Sequence, residues 1–176
     1  MHKVNDQLKL DFNDVLISPK PSDKPLTRKI VDIEIDWLDT KAHPIIVSNM
    51  LSTGTYKIAN ILTPLKVFTF IHKEYTVEQH IKNLNEMDDR RYIAITSGVQ
   101  PWDKERTIEV VKKFPDIGMI NVDIANVYAN IKGMLDTIEL YRKTFPNIKQ
   151  LTTLQDVIEP RFQILHFLIH NTVSIF

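Results

Sequence analysis

The sequence predicts an α/β fold in which parallel strands alternate with helices, as in a (β/α)8 barrel of the TIM type. Nearly continuous apolar runs, typical of strands buried on both faces, cover residues 44–48, 67–71, 92–96 and 119–123. The segments between them have helical periodicity, and no glycine fingerprint of a dinucleotide-binding sheet accompanies them. This alternation favours an incomplete barrel, with about five βα units of the eight that a closed barrel needs.

The elements follow one another in the order that such a fold requires. Residues 31–35 (VDIEI) alternate apolar and acidic side chains, which predicts a half-exposed strand in an N-terminal segment, 1–43, that carries a strand hairpin. Thr76 and Gln79 have the spacing of a capping box at the start of a helix, and Asp103 is predicted to cap the next helix.

The second half of the chain continues this pattern. A clear apolar stripe predicts a helix that ends before Pro146, and its members are Ile131, Met134, Ile138, Tyr141 and Phe145. A fifth strand is expected at about 148–154. We therefore expect one partial barrel domain over 1–176, with βα units in 44–154 and a divergent tail in 155–176.

Composition narrows the class of protein. Lys and Arg together number 22, as do Asp and Glu, so the net charge of zero and the lack of a basic stripe argue against a nucleic-acid partner. No apolar run approaches the roughly 20 residues of a membrane span, and no signal core opens the chain, which predicts a cytoplasmic protein without a membrane partner. The absence of cysteine excludes disulfides and thiolate metal sites.

Polar residues stand at the carboxyl ends of several predicted strands, where barrels carry their active sites. Lys73 can place a cation beside a phosphate or a nicotinamide amide, and its alternative is a solvated loop lysine. Asp123 can accept hydrogen bonds from a ribose or a carboxamide, and its alternative is a cap on the following helix. Ser97 and Gly98 also lie at the carboxyl end of a predicted strand. His72 is predicted to pack or hydrogen-bond, because no second ligand stands at metal spacing, and no metal site is expected.

Four segments, taken in order and spacing, resemble the family of GMP reductase and IMP dehydrogenase. They are 10–17 (LDFNDVLI), 44–50 (PIIVSNM), 71–75 (IHKEY) and 122–126 (VDIAN). The resemblance runs from about Leu8 to Phe145, which is about four fifths of the chain. It indicates the N-terminal portion of such an enzyme.

The resemblance implies an NADPH-dependent oxidoreductase of purine metabolism that removes ammonia from GMP to give IMP. In the family, a cysteine attacks the purine carbon and hydride transfer follows, and the subunits form homotetramers. The implied substrate contacts are Asn49 and Met50. The implied cofactor contacts are Thr27, Arg28, Lys73, Asp123, Ile124 and Ala125. Without the resemblance, Arg28 would be taken as an ordinary surface arginine.

An IMP dehydrogenase fragment is the alternative within the family. Those enzymes usually insert a regulatory module between the second helix and the third strand, whereas residues 87–92 here pass directly from one to the other. The run 123–128 (DIANVY) also resembles the reductase more closely. The reductase is therefore the preferred interpretation.

The chain departs from the family pattern at its chemically decisive positions. Leu51 replaces an acid, Val127 replaces a glycine, and residues 150–153 (QLTT) replace Gly-Asn at the end of the fifth strand. Residues 164–171 (ILHFLIHN) stand where a glycine-rich loop should carry the cysteine. No catalytic residue is assigned, and the chain alone is expected to be inactive.

These departures leave several interpretations of the chain. A truncated, frame-disrupted or mis-spliced fragment of the reductase fits best. A non-catalytic interaction module that docks on a full-length homologue is the second interpretation, and a barrel enzyme with thiol-independent chemistry is the third.

Overall fold

The computed structural model of the chain describes residues 12–16, 18–19, 21, 27–29, 31–37, 40–126 and 129–152, with 150–152 described by their backbone alone. The chain divides into two compact units. In the first unit, the described residues up to Asp32 include a single 3-10 turn, Phe12–Asp14. The second unit runs from Ile33 to Glu159 and contains every α-helix and strand of the described residues.

Seven strands and four α-helices are found in the described part of the second unit. The strands are β1 (Ile35–Trp37), β2 (Thr40–Ala42), β3 (Ile46–Val47), β4 (Phe68–Ile71), β5 (Ile93–Ser97), β6 (Met119–Val122) and β7 (Lys149–Thr152). The helices are α1 (Tyr56–Leu62), α2 (Val77–Asn85), α3 (Pro101–Lys113) and α4 (Ile131–Thr144). None of the helices in the described ranges is long and apolar enough to span a membrane.

The sheet topology is that of a barrel. Strands β3 to β7 form one parallel sheet whose spatial order, β3-β4-β5-β6-β7, is the same as their order in the chain. A helix follows each of the first four strands. A doubly wound sheet reverses its strand order at a switch point, and this sheet does not. The connections therefore all advance in one direction, as they do in a TIM barrel.

The core lies on both faces of this sheet. Every residue of β4, β5 and β6 is buried, which explains why their sequences are continuous apolar runs rather than alternating ones. Leu84 of α2, Val110 of α3 and Met134 of α4 are buried as well, each at 1% exposure or less. The antiparallel hairpin of β1 and β2 adds Trp37, whose ring meets Phe68 edge-on with the ring centroids 4.6 Å apart.

Most of the predicted elements are confirmed. The apolar runs contain β3, β4 and β6 and all but the last residue of β5, and the fifth strand is present as β7, which pairs in parallel with β6. Helix α4 ends at Thr144, before Pro146. The capping box of α2 is present: Thr76 Oγ1 accepts from Gln79 N at 3.3 Å, and Gln79 Oε1 accepts from Thr76 N at 2.9 Å.

Two local predictions are wrong. Residues 31–34 take no regular structure, and the first strand begins at Ile35, because only Ile35 to Trp37 face a partner strand across the hairpin. Asp103 does not cap α3, since the helix begins two residues earlier at Pro101, after Gln100. Proline suits a first helical turn because its missing N–H would have no partner there. Asp103 instead lies buried in that turn, paired with Arg106 at 2.8 Å.

The single partial domain predicted for 1–176 stays a prediction. The expected divergent tail, 155–176, and the segment 164–171 within it lie outside the described residues, as does Val127. Helix α1 was not predicted. It is only seven residues long and is capped by Thr55, whose hydroxyl accepts from Ile58 N at 3.3 Å.

Candidate functional site

The candidate site lies at the carboxyl edge of the parallel sheet. Four segments leave the sheet at this edge: 48–55 after β3, 72–76 after β4, 98–100 after β5 and 123–126 after β6. Because parallel strands end on the same side, these segments are neighbours in space, as in the active sites of TIM barrels.

One hydrogen bond joins two of the predicted site residues across this edge. Asn49 Nδ2 donates to Asp123 Oδ2 at 2.9 Å, although the two residues are 74 positions apart in the chain. The backbone of Asp123 is held as well, because its N–H donates to Ser97 O at 2.8 Å. Both side chains are half-buried. Asp123 is therefore held both through its backbone and through its carboxylate.

The alternative role of Asp123, as a helix cap, does not apply. Helix α4 begins after Asn130, and Asn130 Oδ1 accepts from Gly133 N at 3.1 Å. The cap of α4 is thus seven positions beyond Asp123. This leaves the carboxylate of Asp123 at the sheet edge, bonded to Asn49.

Lys73 lies in the turn that follows β4, and it is half-buried. The turn is tied to the segment after β3, because His72 N donates to Gly54 O at 2.9 Å. A Cβ atom on Gly54 would lie 2.3 Å from the backbone oxygen of Phe70, so only glycine permits this close approach. His72 stacks on Tyr75, with the ring centroids 4.3 Å apart, and its Nδ1 accepts from Glu74 N at 3.2 Å.

The other predicted residues take less confined places. Met50 is 62% exposed, and Leu51 beside it is 68% exposed. Ile124 is half-buried and Ala125 is exposed. Thr27 and Arg28 belong to the first unit, where both side chains are exposed. The structure thus brings Asn49 and Asp123 into contact, while the ligand roles of all eight predicted residues stay predictions.

Ser97 faces away from the candidate site. Its side chain is fully buried, its Oγ donates to Gly98 O at 2.8 Å, and it is paired with the hydroxyl of Tyr141 in α4 at 2.5 Å. Burial raises the pKa of the Tyr141 hydroxyl, so it stays protonated and can donate to Ser97. Ser97 therefore attaches β5 to the helix layer rather than serving a ligand.

Sequence reasoning missed a cluster of aromatic and histidine side chains behind the turn of Lys73. The hydroxyl of Tyr56 in α1 is hydrogen-bonded to Nδ1 of His80 in α2 at 2.6 Å. The ring of Tyr75 meets the ring of Tyr56 edge-on, with the centroids 5.1 Å apart. Burial lowers the pKa of His80 to about 3 and raises the pKa of Tyr56. The only sequence signal for this cluster was the position of His80 on the buried face of the predicted helix.

The described groups at this edge are suited to binding. A lysine cation, an aspartate carboxylate and an asparagine amide can recognise hydroxyl, carboxamide and phosphate groups. No group of three or more potential metal ligands occurs within the ranges that the structure describes. The sequence supplies no thiol that could act as a covalent nucleophile.

The chain is similar in sequence to curated GMP reductases. It is 32% identical over 156 residues to the GMP reductase of Onchocerca volvulus, in a match that covers 83% of this chain and 42% of that protein. It is 31% identical over 137 residues to the GMP reductase of Salmonella paratyphi B, covering 72% of this chain and 39% of that protein. The chain therefore spans about two fifths of the length of these relatives.

A solved structure shares the fold. The Inosine 5' monophosphate dehydrogenase from Legionella pneumophila superposes with a TM-score of 0.70 at 18% identity, covering 83% of this chain and 43% of that one. No protein-family model matches the chain. The comparisons confirm both the family resemblance and the incomplete TIM-barrel fold.

Proposed function

We propose, since this chain is related to the GMP reductases along most of its own length, that it forms the cofactor-binding part of an NADPH-dependent oxidoreductase. The proposed reaction is the reductive deamination of GMP to IMP in purine nucleotide interconversion. The observation that carries the proposal is the bond between Asn49 and Asp123 at the carboxyl edge of the sheet. It joins a proposed substrate contact to a proposed cofactor contact. We expect a cytoplasmic protein, and we expect full-length subunits of this kind to form a homotetramer.

The described residues fit a nicotinamide nucleotide. NADPH carries ribose hydroxyls and a carboxamide, and the carboxylate of Asp123 can accept hydrogen bonds from both. It also carries phosphates, whose charge the cation of Lys73 can neutralise. In the proposed site of the second unit, Ile124 and Ala125 line the cofactor, and Asn49 with Met50 contact the purine. Thr27 and Arg28 belong to the first unit, and their proposed role as cofactor contacts rests on the family resemblance alone. When bound, NADPH would supply the hydride.

This polypeptide does not supply the nucleophile of the reaction. The family's step requires a cysteine thiolate, and none of the 176 residues is a cysteine. The loss of a covalent nucleophile costs orders of magnitude in rate. We therefore expect a polypeptide of this sequence to bind its ligands weakly and to leave GMP unchanged.

The catalytic part of the proposal is tested by direct assay. The purified chain is incubated with GMP and NADPH, in parallel with a complete GMP reductase as positive control. We expect no NADPH oxidation above the blank. NADPH oxidation coupled to IMP formation would show that the chain has another route to the chemistry.

The binding part is tested by titration with NADPH, followed by NMR or calorimetry. We expect a Kd no tighter than about 1 mM, or about −4 kcal/mol, because only part of the family's contacts is present. Lys73→Ala and Asp123→Ala should each weaken binding, whereas Lys82→Ala, at an exposed position on α2, should not. Micromolar affinity that is insensitive to both site variants would place the cofactor elsewhere.

A second candidate function is a non-catalytic module that docks on an intact homologue. The observation that favours it is the exposure of large apolar side chains at and beside β3, namely Ile45 (60%), Ile46 (41%) and Leu51 (68%). Co-purification of the chain with a full-length homologue tests this candidate. If the chain elutes alone at all concentrations, this docking function is ruled out.

A further inference from the structure

We propose that His72 is a positioning residue that holds the turn bearing Lys73 through its unprotonated ring nitrogen, so that acid opens the turn. This inference rests on the role proposed above for Lys73 in binding NADPH, and it adds a residue and a pH dependence to that site.

The geometry of the turn is the first support. His72 Nδ1 accepts from the backbone N–H of Glu74 at 3.2 Å, so a side chain bonds to the main chain two residues ahead. Asparagine and aspartate make the same contact in Asx-turns, where it fixes the residue in between. Here the enclosed residue is Lys73. The backbone N–H of His72 is itself held by Gly54 O at 2.9 Å.

The second support is the surface on which the imidazole rests. The rings of His72 and Tyr75 stack with centroids 4.3 Å apart and an interplanar angle of 20°. Tyr75 in turn meets Tyr56, which is 1% exposed and bonded to His80. The imidazole is therefore attached through Tyr75 to the buried side of α1 and α2. Both ends of the turn are thus fixed around Lys73.

The chemistry of imidazole makes this arrangement sensitive to pH. A neutral ring has one nitrogen that accepts, but an imidazolium has two donors and no acceptor. Protonation at Nδ1 therefore ends the bond to Glu74 N–H. Burial lowers the pKa of His72 from its ordinary 6.5, while the carboxylate of Glu74 acts in the opposite direction. The turn should accordingly be closed near neutral pH.

The surrounding groups do not override this effect. Within the turn, the titratable neighbours of His72 are Lys73, Glu74 and Tyr75. Behind the turn, His80 of α2 interacts electrostatically with His72, and Tyr56 of α1 contacts Tyr75. Tyr56 stays protonated, and His80, with its pKa at about 3, stays neutral. His72 is therefore the ring in this cluster whose hydrogen bonding to the turn depends on its own protonation.

Two matched variants distinguish the hydrogen bond that His72 accepts from its stacking on Tyr75. His72→Asn keeps an oxygen that can accept from Glu74 N–H but does not titrate. His72→Phe keeps an aromatic ring against Tyr75 but has no acceptor. The first measurement, made without ligand, is the hydrogen-exchange protection of the Glu74 amide by NMR at pH 7.5 and 5, corrected for intrinsic exchange.

The expected pattern is specific. In the wild-type chain, protection of the Glu74 amide should fall on acidification, in step with the titration of the His72 ring resonances. His72→Asn should be protected at both pH values, and His72→Phe at neither. Equal protection in His72→Phe and the wild-type chain, without dependence on pH, would overturn the proposal.

The second measurement connects the turn to binding. At pH 7.5, His72→Phe should weaken NADPH binding by the same factor as Lys73→Ala, whereas His72→Asn should retain wild-type binding. The double variant His72→Phe/Lys73→Ala should bind no more weakly than Lys73→Ala alone. Additive losses would make His72 a direct contact and overturn its positioning role. If the wild-type chain binds no NADPH, the proposed function fails, and the Glu74 amide still decides the role of His72.

Discussion

His80 is a single buried side chain that links the stability of this fold to pH. Its ring is fully buried, and its Nδ1 is paired with the Tyr56 hydroxyl at 2.6 Å. Its Nε2 has no hydrogen-bond partner among the described residues. Burial is the main cause of its lowered pKa, and the positive charge of Arg106 adds to it. His80 is therefore neutral in the folded protein, and a proton on it would bury a charge beside a cation.

We predict that this residue makes the fold sensitive to acid. The unfolded chain binds a proton at His80 near pH 6.5, whereas the folded chain does so only at about 3, so acid favours the unfolded state between these values. Each unit of pKa difference corresponds to about 1.4 kcal/mol. His80→Asn retains a partner for Tyr56 and does not titrate in this range. Its urea midpoint should therefore fall less than that of the wild-type chain between pH 7 and 4.5, and parallel curves would contradict the prediction.

Helix α2 shows how an individual element is secured by its own sequence. Thr76 and Gln79 satisfy each other's exposed backbone groups at its start, and Leu84 is fully buried further along the helix. The same helix supplies His80 to the cluster behind the turn of Lys73. Fraying of its first turn should therefore reach the candidate site.

We predict that Thr76→Ala destabilises the chain by about 1 kcal/mol, because the amide of Gln79 loses its side-chain acceptor. Thr76→Ser, which keeps the hydroxyl, is the matched control and should cost much less. Urea denaturation followed by circular dichroism measures both. The variant Thr144→Ala removes a hydroxyl bonded to Leu140 O within α4 rather than at a cap, and should also cost less. Equal losses in all three would argue against a capping effect.

At the scale of the second unit, the sheet is curved but open within its described residues. Three strand spacings of about 4.8 Å separate β3 from β6 in a flat sheet, yet Asn49 and Asp123 beyond these strands are bonded at 2.9 Å. This contact is consistent with strand ends that bend towards one another, as they do in a barrel. In this described part of the sheet, β3 and β7 are the edge strands.

We predict that a polypeptide of this sequence is weakly stable and associates. Exposed strand edges and apolar patches drive association, and Ile45 and Leu51 beside β3 are 60% and 68% exposed. Light scattering after size exclusion should show oligomers or aggregates whose fraction falls in Ile45→Lys/Leu51→Lys. The matched control is Lys57→Ala at an exposed position on α1. A soluble monomer that unfolds cooperatively at about 45–65 °C would show that the open sheet is not a liability.

Local sequence was enough to determine the alternation of strands and helices, the buried strands, the capping box at Thr76 and the placing of Lys73 and Asp123 at strand ends. These features depend on periodicity, apolar runs and side-chain contacts between near neighbours, which a single segment already contains. The order of four short motifs also pointed to the family that the sequence comparisons support.

Tertiary structure alone decided how those segments meet. The bond between Asn49 and Asp123, the attachment of Ser97 to Tyr141 and the bond between Tyr56 and His80 all join residues at least 24 positions apart. Such contacts depend on the curvature of the sheet and on which face each strand residue takes, and both are set by packing between elements rather than within them. The sequence thus places the polar residues along the chain, and only the folded sheet determines which of them can act on one ligand.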